Sequence, residues 1–581
     1  MSAGTQSRSR AQNVLHNLMS SAVSKALVLF LSFIARSVFI RYLSEVYLGV
    51  NGLYSNVLNM LSLAELGFGT AIVFSMYRPL AEHDDRKLAA LLRVYRRAYT
   101  VIGCVVFAIG LSLVPVLHLL IKLPADMQLG DLTLSLGGRQ LTVSYVNFYY
   151  LLFLLNSAVS YWFWGYRRSV FVADQKEHIC TNIRSILSIL RALLQIAALA
   201  VIGRRDPAAA FTAYLLLQLA ATVAENIWVA LRARKYYPCL HEADVPPLEK
   251  AEVRRLARDV GSTAVSRISH VALNSTDNII ISTMLGTVCV GQLSNYTFIA
   301  DSLTGILCLI TAALTPSLGN YFVEKSREES YSLFRSLTYA NLWLYALATA
   351  AMLTLFNPFM TVWLHNPDYL LSAACAVAIS LNFFVAGYMT TLFTFRSSLG
   401  LFSQGWFRPI VVSVLNIGLS VLLAFLWRDA TFLGTGDWGL FGVLIATTLS
   451  RLLVNVWYDP IIIHRYGFGV SARPFFLRLL RMVGEVAVLC GLLACVKLLL
   501  PVTLALPRWE ACLRLAALFL ITAAVLIAVL RRIGCGLVGV LFGLRHLLIA
   551  GFWLFNRRTP EFRHLVAAVK SRRSRMRRSG N

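Results

Sequence analysis

The chain has 581 residues, of which 57% are hydrophobic and only 14% charged, with a mean hydropathy of +0.66 and a formal net charge of +26. That is too little charge to cover a water-soluble particle of this size, so the composition excludes a soluble enzyme and points to an all-α polytopic membrane protein. The ten cysteines are scattered with no paired CxxC spacing, which leaves neither a metal site nor a redox pair to expect.

Apolar runs near the roughly 20 residues that a bilayer crossing needs lie at 22–40, 48–77, 99–121, 146–166, 181–202, 209–231, 260–284, 289–320, 337–356, 370–394, 409–427, 440–463, 482–500 and 511–530. About fourteen transmembrane helices are expected from them, with twelve as the alternative count. The first run follows a polar N-terminus without a cleavage motif, so no removable signal peptide is expected. With that N-terminus in the cytoplasm, the inside loops and termini hold 39 of the 54 Lys and Arg and the outside loops 7, a bias that follows the positive-inside rule and returns the C-terminus to the cytoplasm. The net charge is therefore mostly topology. The run Arg572-Arg573-Ser-Arg575-Met-Arg577-Arg578 is read as a tail for anionic lipids, since no aromatic or groove-reading context supports nucleic acid.

Residues 20–100 are echoed in register 242 positions later. Leu43-Ser-Glu-Val-Tyr-Leu-Gly49 aligns with Leu285-Gly-Thr-Val-Cys-Val-Gly291, Tyr54 with Tyr296, Glu82 with Glu324 and Arg93 with Arg335. A chain built twice suggests two pseudo-symmetric halves around a shared path, as in a transporter. The expected division is a six-helix bundle over 1–235, a cytoplasmic linker over 236–258, a second six-helix bundle over 259–465, two further helices over 466–534, and a basic tail over 535–581 whose residues 535–556 suit an interfacial helix.

A charge at mid-bilayer costs roughly 2.5–3.5 kcal/mol on insertion scales, so ionisable groups inside spans mark candidate sites. In chain order, the first span carries Lys25, Ser32 and Arg36 on one face, with snorkelling as the alternative for both cations. The second carries Glu65 beside Gly67 and Gly69, glycines that suit either bending or close helix packing. The fifth carries an unbroken stripe of Thr181, Arg184, Ser188, Arg191 and Gln195. Guanidinium forks at staggered depths match phosphate oxygens; the alternative is ion pairing with Glu65 or with Glu225 of the sixth span. The seventh repeats the pattern with Ser262, Ser266, His270, Asn274 and Asp277, and with Arg267 beside the stripe; Arg267 and Asp277 pairing with each other is the alternative. Asp301 follows in the eighth. The candidate headgroup ligands are thus Lys25, Arg36, Arg184, Arg191 and Arg267, and Glu65, Glu225, Asp277 and Asp301 are candidates for proton or sodium coupling, with no other cofactor expected.

Outside loops are short, the longest being 122–145, and that one holds Asp126 and Asp131 without a paired acidic cluster. No external catalytic domain fits, and no GxxxxGK[ST] phosphate loop is present to hydrolyse a nucleotide. The expectation is a transporter, not an enzyme.

The runs Arg36-Ser-Val-Phe-Ile-Arg41-Tyr-Leu, Tyr47-Leu-Gly-Val-Asn51-Gly-Leu-Tyr54-Ser-Asn56, Leu61-Ser-Leu-Ala-Glu65-Leu-Gly67-Phe-Gly69-Thr-Ala and Tyr77-Arg-Pro79-Leu-Ala-Glu82 resemble the polysaccharide-transporter family of lipid-linked oligosaccharide flippases, over residues 20 to about 480. The resemblance implies two six-helix bundles in a V with an alternating-access cavity, plus two C-terminal helices. It also implies a substrate in which an oligosaccharide is joined through pyrophosphate to a polyprenol, a bacterial plasma-membrane location, and polysaccharide assembly proteins as partners. No invariant residue is carried over. Two other classes stay open: a multidrug or toxin extruder of the same superfamily, which the cationic first half disfavours, and a non-transporting assembly partner whose intramembrane charges are all paired.

Overall fold

The computed structural model describes residues 27–61, 68–82, 84–123, 129–136, 139–174, 176–237, 248, 275–324, 326–399, 401, 407–428 and 437–529. Lys25, Glu65, Arg267, the linker and the basic tail therefore lie outside the described residues. What is described is helical apart from one hairpin, and nine of the described helices are long and apolar enough to cross a membrane.

The first half comprises α1 (27–42), α2 (Glu45–Leu61), α3 (Phe68–Glu82), α4 (Asp85–Ser112), the short α5 (Leu117–Leu120), α6 (Tyr145–Trp162), α7 (Arg168–Ala173), α8 (Glu177–Ile202) and α9 (Pro207–Tyr236). The second comprises α10 (275–284), α11 (Thr287–Glu324), α12 (Arg327–Leu364), α13 (Ala373–Ser398), α14 (Arg408–Trp427) and α15 (Trp438–Ile462). Two more helices follow, α16 (Arg473–Leu499) and α17 (Arg508–Val529).

Short polar residues set where the chain turns. Asp84 caps α4 by accepting from Lys87 N at 2.9 Å, and Asp206 caps α9 by accepting from Ala209 N at 3.0 Å with Pro207 in the first helical position. Ser326 and Glu329 form a reciprocal capping box at the start of α12. The loop between α5 and α6, the longest of the expected outside loops, contains an antiparallel hairpin, β1 (Asp131–Leu136) with β2 (Arg139–Ser144), in a register that pairs Leu136 with Arg139. This loop marks one end of the molecule, the hairpin end. The opposite end, where α3 meets α4 and α11 meets α12, bears most of the arginines and is called the basic end.

The repeat read from the sequence is a physical contact. α2 packs on α11 across the two halves. A Cβ placed on Gly49 would strike the carbonyl oxygen of Thr287, and one on Gly291 would strike the carbonyl oxygen of Glu45. Gly49 and Gly291 are repeat mates, and so are Glu45 and Thr287. The contact is therefore reciprocal, as a two-fold axis requires. Tyr54 and Tyr296, also mates, are both fully buried and anchor α2 and α11 within their own halves: Tyr54 donates to Val146 O at 2.7 Å, and Tyr296 donates to Asn357 Oδ1 at 3.2 Å while accepting from Leu371 N at 3.1 Å.

A side chain at either glycine would force the helices apart. Gly291→Val is expected to lower the thermal midpoint of the purified protein by the equivalent of about 1–3 kcal/mol of overpacking. Gly418→Val on α14, where an added Cβ meets nothing within 4 Å, is expected to leave it within a degree or two, roughly the scale of a neutral surface change. Thermal unfolding of both variants in detergent checks this.

Candidate functional site

The two halves are bolted together at the hairpin end. Arg36 of α1 reaches across to α11, where Nε donates to Asn295 Oδ1 at 2.9 Å and Nη2 donates to Ser294 Oγ at 2.5 Å, with the guanidinium 5.9 Å from the Phe298 ring centroid. Trp363 of α12 donates to Ser37 Oγ at 2.8 Å and stacks on Phe33 at 4.7 Å. Lys122 exchanges bonds with Thr287, and Ser282 Oγ donates to Leu120 O at 2.6 Å. One further bond, Asn59 Nδ2 to Ser275 Oγ at 2.9 Å, joins α2 to α10 nearer the membrane centre.

Below this seam the facing surfaces carry exposed polar side chains, still joined at Asn59 and Ser275. Ser55 and Asn59 of α2 are exposed on the face that carries Gly49 and Gly52. On α11, Asp301 is exposed on the face of Ser294 and Phe298, and a Cβ at Gly305 would meet nothing within 4 Å.

α8 supplies the cations of the first half. Its lipid-side face is marked by Ile186, Leu190, Leu193 and Val201, exposed by 51%, 49%, 50% and 74%. The stripe of Arg184, Ser188, Arg191 and Gln195 lies on the opposite side of the helix. The half-exposed Arg184 side chain therefore meets internal space and not lipid, and there its Nε donates to Glu225 Oε1 of α9 at 2.9 Å. This is the pairing alternative found in the structure. Arg191 is half-buried, and its Nε–H has no acceptor among the described residues. Tyr214 of α9 lies within electrostatic range of both Arg36 and Arg191, and Gln195 Nε2 donates to the Tyr214 carbonyl at 3.0 Å. By helical rise the guanidiniums of Arg36, Arg191 and Arg184 sit roughly 9, 16 and 27 Å below the hairpin ends of their helices.

The second half holds a different cluster. Asp277 of α10 accepts from Thr447 Oγ1 at 2.7 Å, and that hydroxyl accepts from Asn416 Nδ2 at 3.0 Å. Asp277 Oδ1, Asn416 Oδ1 and Ser420 Oγ are all buried without a hydrogen-bond partner among the described residues. Arg451 is within electrostatic range of Asp277 and donates to Asn382 Oδ1 at 2.6 Å. The set is thus one carboxylate among neutral oxygens with an arginine in range; no group of three or more His, Cys, Asp and Glu able to hold a metal ion occurs among the described residues.

The structure thus brings Arg36 and Arg191 together around Tyr214, pairs Arg184 with Glu225, and separates Asp277 from all of them. Sequence reasoning missed Asn416, Thr447 and Arg451. Arg451 carried the same signal as Arg191, an arginine deep in an apolar span, and Ser413, Asn416 and Ser420 form a polar stripe of three- and four-residue steps.

A family model described as polysaccharide biosynthesis protein matches residues 14–322. The chain belongs to that family. No curated protein matches this family member's sequence. Among solved structures it is similar to the lipid II flippase MurJ in an inward closed conformation, with a TM-score of 0.60 at 12% identity over 89% of this chain and 99% of that one. It is also similar to a multidrug resistance MATE family transporter of the MOP superfamily in an inward-facing conformation, with a TM-score of 0.52 at 13% identity over 75% and 97% of the two chains. A mutant of the Vibrio cholerae MATE transporter VcmN gives 0.51 at 13% identity over 78% and 98%. At these identities the likeness is one of fold, that of multi-pass membrane proteins.

Removing the Arg36 guanidinium strands the Asn295 and Ser294 oxygens in the seam. Arg36→Met is expected to destabilise the protein by about 1.5–3 kcal/mol, the range for hydrogen bonds to a charged group. Arg36→Lys, which keeps the charge without the fork, should recover only part of that loss. Thermal midpoints of the two variants in detergent check the order.

Proposed function

We propose that this member of the polysaccharide biosynthesis family is a flippase that carries a polyprenyl-pyrophosphate-linked oligosaccharide from the inner to the outer face of a bacterial plasma membrane by alternating access. The observation that carries the reading is the ladder of Arg36, Arg191 and Arg184 on the interior side of the first half, beside a seam bolted at one end only. A pyrophosphate needs fixed guanidinium forks in a water-poor cavity, and such forks are pre-organised here. The charge bias of the loops supports a cytoplasmic basic end, with both termini on that side. On that orientation the seam is closed outside and the headgroup arrives from the cytoplasm, meeting Arg184 first and Arg191 next while the polyprenyl tail stays in lipid.

Arg36 is then the last rung and also the bolt. A pyrophosphate that reaches it competes with Asn295 and Ser294 for the same N–H groups, which weakens the outer seam as the inner side closes over the sugar. Resetting falls to Asp277, whose cluster with Asn416, Ser420 and Thr447 takes up a proton or a sodium ion. Lys25, Glu65 and Arg267 are further candidates in the same path, and assembly proteins that use the delivered oligosaccharide are the expected partners.

The test compares the wild-type chain with Arg184→Gln/Arg191→Gln at matched membrane levels, following a polyprenyl-pyrophosphate oligosaccharide at the outer face. Folded protein with transport reduced by at least about tenfold, the loss of one charge-assisted hydrogen bond or more, is the expected outcome; undiminished transport would assign both arginines to structural pairing. Efflux of a cationic dye by the wild type, with no flipping of any glycan lipid, would favour the extruder reading.

A second prediction isolates the coupling site. In proteoliposomes, Asp277→Asn is expected to abolish the stimulation of transport by an imposed sodium or proton gradient, whichever drives the wild type, while substrate binding stays within about twofold, the effect of a site that touches no substrate.

A further inference from the structure

Outside the inter-half path, a groove of about 590 Å³ opens at the basic end between α15 and α16, lined by Arg465, Ser471, Arg473, Phe476, Leu477 and Leu480 among others. Its floor is built and fixed. Residues Ile463–Phe468 form a widened helical turn, Val470 N donates to His464 O at 2.9 Å, and Arg327 of α12 holds the Gly467 carbonyl from below with Nη2 at 3.2 Å. Both groove arginines are exposed, neither is in an ion pair among the described residues, and no carboxylate lines the groove. Its wall is apolar and uncovered: Ile461, Val470, Leu477 and Leu480 are exposed by 37%, 38%, 64% and 70%. Leu477 and Leu480 share one face of α16 and continue the line of the groove into the apolar span.

We infer that this groove binds an anionic phospholipid of the leaflet at the basic end, with the phosphate on Arg465 and Arg473 and an acyl chain along Leu477 and Leu480. Two guanidiniums without a carboxylate partner among the described residues, Arg465 stacked 5.6 Å from the Tyr466 ring centroid, beside an uncovered apolar wall match a ligand that is anionic at one end and hydrocarbon at the other. A soluble anion leaves the wall wet, and a zwitterionic headgroup offsets its own phosphate. Basic pockets between transmembrane helices hold such headgroups by the same combination of local charge and hydrocarbon contact. The volume falls within the roughly 300–1,000 Å³ of ligand sites in general. The groove lies on the lipid side of the second half, apart from the Arg36, Arg191 and Arg184 ladder, so the inference stands independently of the flippase reading. It also differs from binding by the basic tail, which needs no groove.

The test is native mass spectrometry of the full chain titrated with phosphatidylglycerol or phosphatidylcholine carrying identical acyl chains. Wild type is expected to retain phosphatidylglycerol preferentially, and Arg465→Gln/Arg473→Gln to lose about fivefold in apparent affinity per arginine removed. Arg481→Gln is the control, since Arg481 lies on the same helix but pairs with Glu485 at 3.1 Å outside the groove; it should match wild type. Equal retention of the two lipids by wild type, or an unchanged preference in the double variant, overturns the proposal. Displacement by inorganic phosphate alone would make this a soluble-anion site, and selective displacement by undecaprenyl phosphate would make it part of the substrate route; either also overturns it. A thermal midpoint for the double variant equal to wild type in phosphatidylcholine shows that the loss is one of binding and not of folding.

Discussion

Two glycines facing each other across the halves govern the rest of the structure. Gly49 and Gly291 let α2 and α11 approach until backbone meets backbone, and the reciprocity of their contacts with Thr287 and Glu45 places a local two-fold axis between them. In a membrane the hydrophobic effect does not draw helices together, so close packing of small residues and hydrogen bonds across the contact must do so. The bonds surround the glycines: Arg36 to Ser294 and Asn295, Lys122 with Thr287, Ser282 to Leu120. Toward the basic end small residues give way to exposed polar ones, and the halves part.

The two halves spend their buried polarity differently. The first concentrates guanidiniums, two of which, Arg36 and Arg191, have no carboxylate partner among the described ion pairs. The second pairs its buried Asp459 with Arg396 and Arg408, and sets Asp277, with Arg451 in electrostatic range, among neutral oxygens that lack partners among the described residues. A buried charge without a counter-ion is destabilising unless something arrives to compensate it. On the proposed function, the unpaired guanidiniums of the first half receive the anion and Asp277 the coupling ion, so that the two bind at different places.

Much of this was legible in the sequence. Periodicity and span length gave the helical membrane class, and the repeat named Gly49 and Gly291, the mates that meet, because a two-fold axis brings equivalent positions together only close to the axis; Tyr54 and Tyr296 lie off it. The stripe from Arg184 to Gln195 was visible for the same reason that it is off the lipid face: a helix in a bilayer keeps its polar side inward. Partnerships were not legible. Arg184 finds Glu225 41 residues on, and Asp277 finds Thr447 170 residues on, and nothing local distinguishes these from their alternatives. Asn416 and Thr447 of the Asp277 cluster were missed because each is neutral and, alone, an ordinary helix residue; Arg451 was missed although it gave a signal, an arginine deep in an apolar span. The hairpin was missed because alternation over six-residue strands is a weak signal beside runs of about 20 apolar residues.

The repeat also indicates how the two sites can communicate. Arg36 and Asn278 occupy equivalent positions, so the bolt of the first half and the Asp277 cluster of the second stand at the same level of their bundles. Asp277 lies on α10, whose Ser282 is itself one of the residues that close the seam, just before the turn at Gly286. Occupancy at Asp277 acts on α10 between its bonds to α15 and to the seam, whereas occupancy at Arg36 acts on the seam from α1. Two ligands that bias the same contact from opposite sides are thermodynamically linked whatever the path between them, and each changes the affinity of the other by the same factor. On the proposed function, this route of α10 and one turn needs no chain of intermediaries, and the hairpin-end seam is the contact that both sites bias.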